Sequence, residues 1–123
     1  MKETFEGLVK VNKMLRKKCP WDKEQDFDSL KKTIMDEAKE VVEAIENKDY
    51  ENLKEELGDL LHNILFITNV AEEQGLFDIK AVMQEIEAKL IRRHPHIFGD
   101  EKASTPEEVT KIWENVKETE KNG

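Results

Sequence analysis

Residues 60–71 read LLHNILFITNVA, an apolar run broken only by His62, Asn63, Thr68 and Asn69. Its spacing is helical, and a helix with so little polar face belongs at the centre of a structure. That requirement constrains everything around it. The chain has 123 residues, enough for one domain with a modest core. Only 5 Gly and 3 Pro occur, and 39% of residues are charged against 37% hydrophobic, a mix that favours helices over sheet. Five short helices cannot cover so apolar a segment in a monomer. We therefore read the fold as all-α, a helical bundle of about five helices whose core is completed by homo-oligomerisation as a dimer or tetramer.

The remaining helices follow from periodicity and caps. Residues 4–18 form the first, with Phe5, Leu8, Val11 and Met14 or Leu15 as its stripe. Cys19, Pro20, Trp21 and Asp22 interrupt it, because proline disfavours helix at the preceding residue. Trp21, in that loop, reads as a buried anchor for the helix entry rather than a stacking platform. Asp26 or Asp28 caps a second helix to about residue 47, with Leu30, Ile34, Ala38, Val41 and Ile45 inward. Asp49 caps a third that ends at Gly75. Asp78 caps a fourth ending near Arg93, and residues 94–103 read as a loop. Thr105, Pro106 and Glu108 supply an N-cap, a first-turn proline and a third-position glutamate for a fifth helix bearing Ile112, Trp113 and Val116. From Glu118 the tail is expected to fray.

Two pairs of acids carry the chemistry. Glu37 and Glu40 sit three apart on the second helix, and Glu56 and Asp59 three apart on the third. Residues at that spacing share a helix face. Glu37 lies about 60° from the centre of its helix's apolar stripe and Glu56 about 80° from its own, so both lean inward. In a chain with 28 acids one such pair is chance decoration. Two pairs on consecutive helices are not, because a buried ionised carboxylate needs a partner. A hairpin turning near residues 47–49 brings Glu40 beside Glu56 and Glu37 beside Asp59. An all-oxygen cluster of this kind suits Mg²⁺ or Mn²⁺.

The other side chains exclude more than they assign. A net charge of −8 offers no basic surface for clamping nucleic acid. The single Cys19 forms no intramolecular disulfide and fits a reducing cytoplasm. Residues 1–10 lack the apolar core of a signal peptide and no run approaches membrane-spanning length, so no membrane association is expected. His94 and His96 flank Pro95 without the thiolates zinc prefers. His62 faces away from the Leu53, Leu57, Leu60 and Ile64 stripe and reads as a packed or interfacial residue. Lys89, Arg92 and Arg93 form a dense basic cluster at a helix end, where cations cap a C-terminus or bind phosphate equally well.

Asp36-Glu37-Ala38-Lys39-Glu40, fifteen residues, then Glu56-Leu57-Gly58-Asp59 resembles the EExxE…ExxD signature of the MazG-type nucleoside triphosphate pyrophosphohydrolases. The CPWDKEQ segment at residues 19–25, the block KLIRRHPHIFG at residues 89–99, and Trp113 with Lys117 are similar to further family blocks in the same order. Together they span nearly the whole chain, residues 1–123, as a single domain of this type. Asp36 departs from the family glutamate and lies nearly opposite the apolar stripe, so no ligand role is carried onto it.

The resemblance implies a soluble cytoplasmic enzyme that hydrolyses nucleoside triphosphates between the α and β phosphorus atoms, giving monophosphate and pyrophosphate. Glu37, Glu40, Glu56 and Asp59 then hold Mg²⁺ or Mn²⁺ against the triphosphate, and Glu37 or Glu40 accepts the attacking water's proton. Lys89, Arg92 and Arg93 contact phosphate, Trp113 covers the nucleobase and Lys117 reaches phosphate or base. Three alternatives compete. A narrower relative, dUTPase-like or cleaving phosphoribosyl-ATP, is disfavoured by the CPWD and KLIRRHPH blocks. A non-catalytic nucleotide-binding module is disfavoured by the intact acids. A di-iron bundle is rejected because neither acid helix carries an ExxH pair.

Overall fold

The computed structural model describes residues 1–122, and among them every regular element is helical. The helices are α1 (Lys2–Lys18), α2 (Pro20–Lys23), α3 (Phe27–Glu46), α4 (Tyr50–Glu73), α5 (Ile79–Arg93), α6 (Pro95–Phe98) and α7 (Pro106–Asn122). Two of them, α2 and α6, lie where the sequence reads as loop. Each opens on a proline at its first position, where a fixed φ and a missing N–H cost nothing, so a single helical turn forms. The chain divides into two compact units, Met1–Ile79 and the residues from Lys80 onward. None of the helices is long and apolar enough to cross a membrane.

In the first unit α3 and α4 pack as an antiparallel hairpin. Asp26 starts α3 with a reciprocal cap: its carboxylate accepts from Ser29 N at 2.8 Å, while Asp26 N donates to Ser29 Oγ at 3.0 Å. The connection to α4 is a Schellman turn, with Lys48 N bonded to Ile45 O at 3.1 Å and Asp49 N to Ala44 O at 3.1 Å. Asp49 then serves a second time, accepting from Asn52 N at 3.2 Å as the N-cap of α4. Lys48 occupies the left-handed position, φ 54°, where a Cβ is unfavourable. Lys48→Gly is therefore expected to raise stability by about 0.5–1 kcal/mol, read as a higher urea midpoint at unchanged m. The other end of α4 closes with the same motif around Gly75, φ 72°.

The core is small. Leu30, Phe66 and Val70 form its centre, with Phe27 and Ile67 against them. Burying each large apolar side chain contributes about 1.5–3 kcal/mol. As the sequence implies, α4 is the central element: Asn63, Leu65, Phe66, Thr68, Asn69, Val70 and Ala71 are all buried. Its polar residues bond back to their own helix, Asn63 Nδ2 to Asp59 O and Thr68 Oγ1 to Ile64 O, both at 2.8 Å. Arg16 fastens α1 to its neighbours. Its Nη1 donates to Asp22 O at 2.6 Å and Gln25 O at 2.8 Å, and its Nε to Glu73 at 2.6 Å. The guanidinium also lies 5.7 Å from the centre of the Phe66 ring.

The second unit contains α6, α7 and all of α5 but its first residue. Thr105 Oγ1 accepts from Glu108 N at 3.2 Å, and the Glu108 carboxylate accepts from Ser104 N at 3.1 Å. The expected fraying from Glu118 does not occur. α7 continues to Asn122 because Glu120 is gripped by Arg92 and, at 3.1 Å, by Arg93 Nη2.

Candidate metal centre and adjoining cleft

The Schellman turn sets the register of the α3–α4 hairpin, and the register sets the site. Glu40 and Glu56 are equidistant in sequence from Lys48, and so are Glu37 and Asp59. Folding the chain at that point brings Glu40 level with Glu56 and Glu37 level with Asp59, one turn apart. Glu37, Glu56 and Asp59 each present a carboxylate oxygen within 4.8 Å of the others. Glu40, more exposed, stands beside Glu56 and hydrogen-bonds with it. Asp36 points elsewhere, into an exposed ion pair with Lys32 at 3.8 Å, as its wheel position implies.

The electrostatics are those of anions forced together. Glu56 is pushed up to about 7, chiefly by its hydrogen bond with the Glu40 carboxyl, then by burial and by Glu37. Glu37 is raised by burial first and by the Glu40 charge second. Glu37 Oε2 and Glu56 Oε2 are buried, and no protein donor reaches either. Two facing acceptors can be joined only through a proton or a cation. A hard divalent ion fits this set: the donors are all oxygen, three converge, and two of them are orphaned.

Beside the acids opens a cleft of about 220 Å³ in the first unit, floored by Leu30 and Phe66 and walled by Trp21, Asp22 and His62, with Glu37 and Asp59 at its margin. This corrects one reading of the sequence. Trp21 is not a buried anchor but 62% exposed, because the α2 turn directs it outward once Arg16 holds that turn's main chain. His62 lies edge-on to Phe66 at 5.8 Å and lines the cleft. It sits three residues after Asp59, hence on the same face, so the wheel already contained that placement. A larger groove of about 360 Å³ between α1 and α4 holds Lys13, Arg16 and Lys17. Two of these cations are already spent on Glu72 and Glu73, at 3.7 and 2.6 Å, and none of the four clustered acids lines that groove.

The sequence-derived substrate contacts Lys89, Arg92, Arg93, Trp113 and Lys117 all belong to the second unit. Arg92 and Arg93 converge on Glu120, whose carboxyl they hold below the usual range. Arg93 Nε is buried without an acceptor. Trp113 meets the His94 ring edge-on at 5.4 Å and is partly open to solvent, and Lys117 is exposed one turn further along α7. His94 Nδ1 bonds Leu90 O at 2.6 Å, which fixes the orientation of that ring.

Comparison with known proteins adds an independent line. The family model for the MazG nucleotide pyrophosphohydrolase domain matches residues 25–98. The chain is 43% identical over 119 residues to a nucleoside triphosphate pyrophosphohydrolase/pyrophosphatase MazG of Thermotoga maritima, covering 95% of this chain and 45% of that protein. It is also 43% identical over 103 residues to a nucleoside triphosphate pyrophosphohydrolase of Escherichia coli K12, covering 84% of this chain and 39% of that one. The chain thus spans less than half the length of either relative. The crystal structure of a mazG-related protein from Thermotoga maritima superposes with a TM-score of 0.80 at 34% identity, covering 92% of this chain and 98% of that one.

Proposed function

This chain belongs to the MazG nucleotide pyrophosphohydrolase family, and from that premise we propose that it hydrolyses nucleoside triphosphates to the monophosphate and pyrophosphate. The observation that carries this reading is the convergence of Glu37, Glu56 and Asp59 with two orphaned carboxylate oxygens. Glu37, Glu40, Glu56 and Asp59 would hold Mg²⁺, or Mn²⁺ in its place. Bound there, the ion would neutralise phosphate oxygens and make water a better nucleophile near neutral pH. The acids do the rest of the work on that side. Glu37 or Glu40 takes the proton that the attacking water loses.

Lys89, Arg92, Arg93 and Lys117 are the proposed phosphate contacts, with Trp113 at the base. Support for the arginines is Arg93 Nε, which is buried without an acceptor, although the pair also holds Glu120. Oligomerisation, as a dimer or tetramer, is proposed from α4. Leu57, Leu61 and Ile64 remain exposed along one face of the central helix, and a second copy of the chain is the simplest cover for it. The cytoplasm, where nucleoside triphosphates are held, is the proposed compartment. The test is direct: pyrophosphate and nucleoside monophosphate should appear in equal amounts with Mg²⁺ present and cease with EDTA. Turnover that survives complete chelation would sink the assignment, as would release of inorganic phosphate instead.

A further inference from the structure

The two arginines proposed to take phosphate are already occupied, and their occupant stands among the other proposed contacts. Trp113, Lys117 and Glu120 follow one another at four and three residues along α7, so they share a face of that helix. Each oxygen of the Glu120 carboxylate takes one arginine: Oε2 accepts from Arg92 Nε, and Oε1 accepts from Arg93 Nη2 at 3.1 Å. Glu120 and Arg93 are both partly buried, so water and salt screen them less than a surface bridge. The pairing is nevertheless unfinished. A guanidinium devoted to one carboxylate presents two parallel N–H groups to it as a fork. Here one carboxylate is divided between two guanidiniums, and Arg93 Nε stays buried with no acceptor among the described residues. Carboxylate and phosphate oxygens engage arginine in the same way. Both anions cannot hold these donors together, because their like charges would meet at hydrogen-bond distance from the same nitrogens.

We propose that Glu120 is a stand-in for the substrate's phosphate, holding Arg92 and Arg93 in the empty protein and giving way when a polyphosphate binds. This rests on the phosphate role proposed for those arginines. The resident contacts must be released before the new ones form. Glu120 therefore lowers the affinity of every polyphosphate that uses the pair, and lowers it by one common factor. Pyrophosphate is weakened along with the triphosphate, so the product is a poorer inhibitor than two unopposed arginines would make it. The exchange also leaves a trace in the backbone. The pairing that keeps the end of α7 ordered is the one the ligand breaks, so residues 118–122 loosen as the arginines change partner.

Glu120→Gln keeps the side chain's shape and removes its charge. In EDTA, calorimetry on the full chain should show inorganic triphosphate binding this variant about tenfold more tightly than wild type, and pyrophosphate more tightly by the same factor. With Mg²⁺, the KM for a nucleoside triphosphate that is turned over should fall likewise, the change lying in KM rather than kcat. Unchanged or weaker binding in a folded Glu120→Gln overturns the proposal. A purely structural pair gives the first result, and a carboxylate that props the arginines in place gives the second. The wild-type chain supplies a readout that no substitution can confound. Amide hydrogen exchange at residues 118–122 should quicken about threefold or more when inorganic triphosphate is added. Unchanged or slower exchange there means that Glu120 stays in place, and overturns the proposal as well. Tighter polyphosphate binding in Glu120→Gln, with no pyrophosphate released from any nucleotide, would refute the proposed reaction and leave the stand-in. Normal turnover with unaltered polyphosphate affinity would refute the stand-in and leave the reaction.

Discussion

Asp59→Ala and Glu37→Ala are each expected to lower kcat for pyrophosphate release by roughly 10²–10³-fold or more, with helical circular dichroism intact. Loss of an outer contact to a metal ligand typically costs 10–100-fold, and removing a converging ligand itself goes beyond that. The fold tolerates both changes because neither residue belongs to the Leu30, Phe66 and Val70 core. Glu37 supplies one of the two orphaned oxygens, and Asp59 lies opposite it across the hairpin. A hydrophobic or structural role for these acids predicts the opposite pattern, impaired folding with partial activity. Full turnover in both variants would show that the cluster is not the site.

The second large effect is on pH dependence. In the metal-free protein Glu56 titrates at about 7, against an ordinary value of 4.5. A carboxyl whose folded pKa is raised binds its proton more tightly in the native state than in the unfolded chain. Its contribution to stability is therefore intact below 4.5, declines as pH rises from about 4.5 to about 7, and stays low above that. The Glu37 shift acts in the same direction. Melting temperature measured in EDTA should fall across that window, and Glu56→Gln should flatten the fall. Added Mg²⁺ should reverse it, since the cation replaces the shared proton, so stabilisation by metal should grow from pH 5 to pH 8. A metal-free melting temperature that rises across the window, with no response to Glu56→Gln, would contradict the carboxyl–carboxyl contact.

Much of this architecture was legible from residue spacing. The central place of α4 followed from its lack of a polar face, and the register of the four acids followed from a hairpin folded near Asp49. What escaped reading has common causes. Pro20 and Pro95 mark boundaries in sequence, yet each also starts a helical turn, and a two-way signal does not reveal which sense applies. Trp21 reads as a buried anchor because it sits in the loop at a helix entry. Its outward placement depends on Arg16 reaching from α1 to Asp22 O and Gln25 O, a tertiary bond that no local pattern encodes. The order of the α7 end likewise depends on Arg92 and Arg93 meeting Glu120 across 27 or 28 residues.

Asp49 closes one helix and opens the next, so the link between α3 and α4 has no slack. Most surface connections absorb insertions at little thermodynamic cost. Here an added residue would turn α4 by about 100° about its axis and carry Glu56 and Asp59 away from Glu37 and Glu40. Length variation in this scaffold is thereby confined to other connections, and diversification toward new nucleotides must come through side-chain replacement around a hairpin of constant span.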